Sequence, residues 1–299
     1  MVIPELIFTV FWAVSLTMAL LFVAARMLAV GLGIEPADLA ALRREPGFVA
    51  RALLANFILV PALGVALAGM TWVPGQVSAA ILLLAMVAGG VDFFAPTEKS
   101  DGTRVDSAAL IFALSLVSGL ISPIVRLFFQ PIGVPLKASF WRMVDVTALT
   151  VVVPLLVGVL IRWKAPAAAR VLAKAMTLLA IVLFVAVVLT TLLIKAPAVA
   201  DIGAKGVVAM LILMAGAALA GWLVGGPSRE RRALLARVTV MRNVGLSLLL
   251  AIVAFPDAGV DVAVLLFVVA AIAARLLWRL AGWTSVPSMP AATGSSRKL

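Results

Sequence analysis

The chain has no cysteine and no histidine. Without cysteine there is no disulfide framework, no thiol nucleophile and no thiolate metal site. Without histidine the commonest metal ligand and the side chain that titrates nearest neutrality are both missing. Charge is scarce too. Only 12% of the 299 residues are charged, where a soluble domain carries about a quarter. No G-x-x-x-x-G-K-[ST] run is present, which excludes a primary pump driven by its own nucleotide site.

What fills the chain is apolar. Hydrophobic residues make up 65% of it, mean hydropathy is +1.23, and long apolar runs recur from end to end with no stretch resembling a second, soluble domain. A membrane-spanning helix needs about 20 such residues. Nine candidate spans follow, at 5–33, 48–70, 75–95, 106–130, 138–163, 169–196, 202–225, 229–255 and 259–283, punctuated by Pro36, Pro74, Pro131, Pro166 and Pro227. The expectation is an all-α integral membrane protein with one transmembrane domain over 1–284. The Ser-, Pro- and Gly-rich segment 285–299 reads as a disordered cytoplasmic tail. The first run begins at Glu5 and is too long for the apolar core of a cleavable signal, so it reads as a span.

The net charge of +11 raises the question of nucleic acid. The Lys and Arg side chains sit in short gaps between apolar runs and make no basic face, so no nucleic-acid partner is expected. They set orientation instead. With the N-terminus outside, 18 of the 24 fall on the cytoplasmic side, 5 fall outside and Arg242 lies within a span. That bias matches the excess of positive charge on cytoplasmic loops. The chain is expected in the cell's inner (plasma) membrane, multi-pass, with its C-terminus in the cytoplasm.

Polar residues interrupt the apolar pattern at a few places. Gly89-Gly90-Val91-Asp92-Phe93-Phe94-Ala95-Pro96 weakens an α-helix. It reads either as a broken span beside a water-lined cavity or as a helix end running into the loop 97–104. Arg242, in Val240-Met241-Arg242-Asn243-Val244-Gly245, lies ten residues past Arg232. At about 1.5 Å per residue this is roughly 15 Å of helix, deep for a snorkelling side chain. Asp145 can pair with Arg142 near the outer interface. Asn56, shortly before Pro61, is suited to an interhelical hydrogen bond.

These segments carry a family resemblance. Ala55-Asn56-Phe57-Ile58-Leu59-Val60-Pro61 is similar to the Gln/Asn-to-Pro stretch of the bile acid:sodium symporter superfamily. Gly89-Gly90 resembles its Gly-Gly-Thr-Ala-Ser-Asn segment, and Ser118-Gly119-Leu120-Ile121-Ser122-Pro123 the helix that follows. Met241-Arg242-Asn243-x-Gly245-Leu246 resembles Glu-x-Gly-Met-Gln-Asn-x-Gly-Leu, and Gly31-Leu32-Gly33-Ile34-Glu35-Pro36-Ala37-Asp38-Leu39 the family's Gly-Leu-x-Leu-x-Pro-x-Asp link. The ordered set spans about residues 28–255. It implies an inverted-repeat core packed on a panel, with two discontinuous helices crossing in the core. The panel would comprise 5–33, 138–163 and 169–196, and the core the other six spans. Nine helices would correspond to the family scaffold without its first.

The resemblance also locates departures. The family's Ser-Asn ligand pair falls on Phe93 and Phe94, its two hydroxyl ligands on Leu110 and Leu114, its shared Glu on Val238, and the Gln of its second sodium site on Arg242. Only Asn56 keeps a suitable oxygen. Sodium coupling through those sites is therefore not expected, and no metal site or cofactor is assigned. The Arg242 guanidinium is expected to stand in place of the second sodium ion, paired with Asp92 or with a substrate carboxylate.

The function expected is secondary transport of a small organic anion by alternating access. Arg242, Asn243, Asn56, Gly89, Gly90 and Asp92 form the candidate substrate site. A proton on Asp92 is the candidate coupling ion. Competing classes are a channel, a non-transporting receptor, or a membrane-embedded lipid-modifying enzyme. The last rests on Asp101-Gly102-Thr103-Arg104 with Asp106, which resembles the start of a lipid phosphotransferase site but lacks its downstream Gly and paired Asp.

Overall fold

The computed structural model describes residues 5–90, 107–129, 136–256 and 258–280. Asp92, Phe93, Phe94 and the Asp101–Asp106 segment lie outside them. Among the described residues every regular element is helical. The elements are α1 (Glu5–Gly33), α2 (Pro36–Arg44), α3 (Pro46–Leu54), α4 (Val60–Ala68), α5 (Gly75–Met86), α6 (Ser107–Ile121), α7 (Phe140–Thr147), α8 (Val153–Lys164), α9 (Pro166–Val224), α10 (Arg229–Val240), α11 (Val244–Ala254) and α12 (Val260–Leu280).

Several of these join into longer paths. Six stretches are long and apolar enough to cross a membrane: Thr9–Gly33, Pro46–Ala68, Ala108–Phe128, Phe140–Lys164, Pro166–Val224 and Arg229–Ala254. The 59 residues of α9 would run about 90 Å if straight, against a hydrocarbon core of about 30 Å. The path bends instead at Lys195 (φ −114°, ψ 25°) and Gly203 (φ 58°, ψ −178°), either side of Pro197. Two arms result, matching the two spans expected over 169–196 and 202–225. Large apolar side chains such as Leu178, Val182, Leu193, Leu219 and Leu223 stand exposed along them, as lipid-facing residues would. The chain is an all-α, multi-pass membrane protein.

Two π-helical turns share one local cause. Ala55–Leu59 joins α3 to α4 just before Pro61, and Ala148–Val152 joins α7 to α8 just before Pro154. A proline lacks an N–H and crowds the carbonyl four residues back, so the helix widens by one residue to pass it. The first turn leaves Asn56 fully buried.

α2 was not among the expected spans. Its nine residues include no buried side chain, Glu35 and Asp38 form a capping box at its start, and Arg43 and Arg44 sit at its negative end. Glu35 also pairs with Arg162 at the end of α8.

Packing divides the helices into two groups. In the first, α1 lies against α8 so closely that a Cβ on Gly158 would meet the backbone of Leu28 and Leu32, and one on Gly31 that of Leu155. The first arm of α9 joins them through the Phe22 and Phe184 rings, 5.2 Å apart, and a 3.3 Å Ser15–Thr190 hydroxyl contact. In the second group, the other arm of α9 packs through Gly206 on Val77 of α5, through Gly216 on Leu63 of α4, and through Gly221 on Leu235 and Ala236 of α10. The centre is formed by α5 and α11. Residues Val77–Met86 are all buried, as are nearly all of Leu246–Ala254. Their sequences are apolar on every side, which suits helices enclosed by others.

Candidate functional site

The end of one helix and the break in another meet at the middle of the protein. α5 stops at Met86, where Val87 turns extended and Gly89 takes φ 78°. A glycine is needed there, since positive φ strains any other residue and a Cβ would strike Ser115. α10 stops at Val240, and Met241–Asn243 run non-helically before α11 begins, capped by the Asn243 side chain, whose Oδ1 accepts from the Leu246 N–H at 3.1 Å. The two are stitched together. Gly90 N–H donates to the Met241 carbonyl at 2.9 Å, and Asn243 N–H donates to the Val87 carbonyl at 3.2 Å. A Cβ on Gly90 would collide with the carbonyls of Met241 and Arg242. The end of α5 thus meets the break between α10 and α11, and the path of the chain beyond Gly90 lies outside the described residues.

Sequence reading missed the residues that hold this crossing from the side. On α6, Ser118 Oγ accepts from Ala88 N–H at 2.8 Å and donates to the Ala88 carbonyl at 3.0 Å, while Ser115 Oγ donates to the Gly89 carbonyl at 2.8 Å. Both hydroxyls satisfy backbone groups freed when α5 unwinds. A helix end with two adjacent glycines creates that demand, and serines three apart on a neighbouring apolar helix are the signal that could have found them.

Arg242 is buried beside this knot, and the direction of its side chain differs from expectation. Nε donates to the Leu84 carbonyl at 2.7 Å and Nη2 to that of Ala85 at 2.5 Å. Nη1 donates to Asn56 Oδ1 at 2.8 Å and, more weakly, to the Thr239 carbonyl at 3.4 Å. Asn56 is itself fixed by donating Nδ2 to Ala52 O at 3.0 Å and to Thr239 Oγ1 at 3.2 Å. Leu84 and Ala85 belong to the last turn of α5, whose carbonyls have no helical partner and carry the negative end of the helix dipole. The guanidinium therefore caps a half-helix with protein oxygens on four of its N–H vectors. The expected pairing with Asp92 falls outside the described residues, and the four oxygens engaged are carbonyls and an amide.

The structure thus brings Arg242, Asn243, Asn56, Gly89 and Gly90 together at one crossing. Beside it lies a cavity of about 560 Å³. Gly90 and Met241–Gly245 form its inner end, and its walls come from α1 (Phe22, Met27), both arms of α9 (Phe184, Met214, Trp222), α10 (Ala233, Ala236) and α12 (Phe267, Ala271). Arg26 and Arg237 also line it, and no Asp or Glu does so among the described residues. The positive end of α11 faces the crossing. Asn243 Nδ2, on a side chain only 4% exposed, finds no partner among the described residues. A buried amide N–H without an acceptor is costly and marks a place for one.

Three of the positions that resemblance assigned to sodium ligands are apolar in surroundings as well as in type. Leu110, Leu114 and Val238 are buried with Ala88, Leu234 and Leu235 in one hydrophobic cluster. Among the described residues no group of three or more carboxylates is placed to hold a metal ion.

A family model described as the Sodium Bile acid symporter family matches residues 18–202 of the chain, from α1 to the bend of α9. No curated protein matches it.

Proposed function

The chain belongs to the sodium bile acid symporter family, and from that premise we propose that it is a secondary transporter of a small organic anion, held in the cavity beside the helix crossing and moved by alternating access. One observation carries the proposal. A half-helix N-terminus and the unpartnered Asn243 amide lie at the inner end of a cavity whose described lining has three arginines and no carboxylate. The Asn243 Nδ2 donor and a positive helix end suit a carboxylate or sulfonate. Phe22, Phe184, Trp222, Phe267 and the methionines beside them suit an apolar body on that anion. The two packing groups supply the parts that would rock against each other. Asn56 belongs to the site through Arg242; Gly89 and Gly90 belong to it by allowing the close crossing.

Coupling to sodium through the family's ligand positions is not part of the proposal. A sodium ion needs several oxygens to replace its hydration shell, and Leu110, Leu114 and Val238 offer none. Arg242 supplies a fixed positive charge where four oxygens converge, so the crossing needs no bound cation there. A proton is the coupling ion we favour, with Asp92 as its carrier. In the orientation set by the basic loops, the cavity side faces the cytoplasm, in the inner membrane.

The test is ligand-induced stabilisation of the purified protein. The probes are cholate, an alkanesulfonate and 3-phenylpropionate, each with its uncharged amide or ester as control. At least one anion should raise the unfolding temperature equally in sodium and in choline buffer, and its uncharged analogue should not. Asn243→Ala should weaken that binding roughly tenfold, the scale of one lost hydrogen bond to a charged group, on top of a lower unliganded transition caused by loss of the Oδ1 cap on α11. Stabilisation that requires sodium, or that is as strong for the uncharged analogues, would overturn the reading.

A further inference from the structure

The helices that surround the cavity meet again about 9–16 Å further along, judged from six to eleven residues at about 1.5 Å each, and there they close on a buried ion pair. Lys195, at the first bend of α9, donates Nζ to Asp261 Oδ2 at 2.8 Å and to the Pro256 carbonyl at 2.7 Å. Asp261 is buried in the first turn of α12, where the helix dipole favours a carboxylate, and its Oδ1 also accepts from Val262 N–H at 3.1 Å. Trp12 and Ser15 of α1, Thr191 of α9 and Ile252 of α11 enclose the pair around a void of only about 20 Å³. Close by, Gly259 lies against Ala198.

The position along α11 is what gives the pair a function. The cavity abuts the start of α11 at Val244 and Gly245, and the ion pair abuts its far end at Ile252 and Pro256. The same interface, between α1 with the first arm of α9 on one side and α11 with α12 on the other, is therefore open on one side of the crossing and shut on the other. Opening the shut side must pull Lys195 away from Asp261 and Pro256. Two separated charges are tolerated only if water enters with the movement.

We propose that Lys195, Asp261 and the Pro256 carbonyl form the gate that seals the transporter on the side opposite the cavity. The gate rests on the alternating-access reading. It is intact in the state described and breaks in the state that exposes the crossing to the other face. Lys195 and Asp261 act by setting the balance of the two states and touch no substrate.

The absence of cysteine gives a clean test. Two single-cysteine proteins of full length, Ser15→Cys behind the gate and Ala236→Cys in the cavity wall, are reacted in micelles with a polar maleimide. With the gate intact, Ala236→Cys labels readily and Ser15→Cys slowly. Lys195→Met and Asp261→Asn should each accelerate Ser15→Cys by about tenfold or more and slow Ala236→Cys, as a shift between two populated states requires. The double substitution should accelerate Ser15→Cys less than the two single effects combined, because it removes the same contact and leaves no unpaired buried charge. Lys195→Arg should keep Ser15→Cys protected.

Unchanged labelling of Ser15→Cys in both single variants overturns the gate. So does faster labelling of Ser15→Cys with no loss at Ala236→Cys, which would be local fraying. Failure of the transport reading looks different: labelling shifts reciprocally, yet no organic anion protects Ala236→Cys. Protection by an anion without reciprocal labelling overturns the gate alone.

Discussion

At the scale of single residues, Arg242 decides most about this protein. A charge that deep in a span signals itself in sequence, and so does Asn56 as a lone amide. Their contact across 186 positions does not, because a single sequence does not say which helices are neighbours. Nor does it say which way the guanidinium points. The proline-induced π turn that leaves Asn56 buried is visible only in the fold. The consequence is a changed expectation for mutants. Arg242→Met strands the Leu84 and Ala85 carbonyls and Asn56 Oδ1, at about 1–3 kcal/mol for each abandoned buried acceptor. It should lower the unfolding temperature and the yield of folded protein, whether or not ligand is present. Arg242→Lys keeps the charge but loses the planar fork, and should fall between the two. Thermal unfolding of the purified variants checks both, and an unchanged transition in Arg242→Met would mean that the cap contributes nothing.

At the scale of elements, the strongest demands are for close approach. The crossing depends on Gly90 as much as on any hydrogen bond, since a single methyl there meets two carbonyls. Gly90→Ala should therefore separate the two segments and abolish anion binding, measured by the same stabilisation assay. Gly158→Leu should force α8 off α1, where Leu28 and Leu32 leave no room, and lower the unfolding temperature while the crossing itself is untouched. The end of α5 before Gly89-Gly90 and the break at Met241–Asn243 were legible, because glycine pairs and a buried charge both oppose an uninterrupted apolar helix. The long apolar spans were legible for the opposite reason. α2 was not, since nine residues with two terminal arginines satisfy no rule about span length. The Ser115 and Ser118 clamps were missed because a serine on an apolar helix most often bonds its own backbone one turn back.

At the scale of the whole molecule, the arrangement is one interface with two unlike ends. A cavity with arginines on its walls lies on one side of the helix crossing, and the Lys195–Asp261 pair lies on the other. Composition pointed to the membrane before any coordinates, and the family match over residues 18–202 agrees with it; the orientation rests on the charge bias of the loops. The asymmetry of the interface could not be read that way, because it depends on which of two conformations the helices occupy. Solute counterflow in proteoliposomes measures alternating exposure directly, with the vesicles preloaded with an unlabelled anion that stabilises the protein and the same labelled anion added outside in sodium-free medium. The account predicts transient, saturable accumulation of label in choline buffer, absent from vesicles carrying Asn243→Ala. Accumulation that appears only when sodium is restored, or uptake that rises linearly with anion concentration, would contradict it.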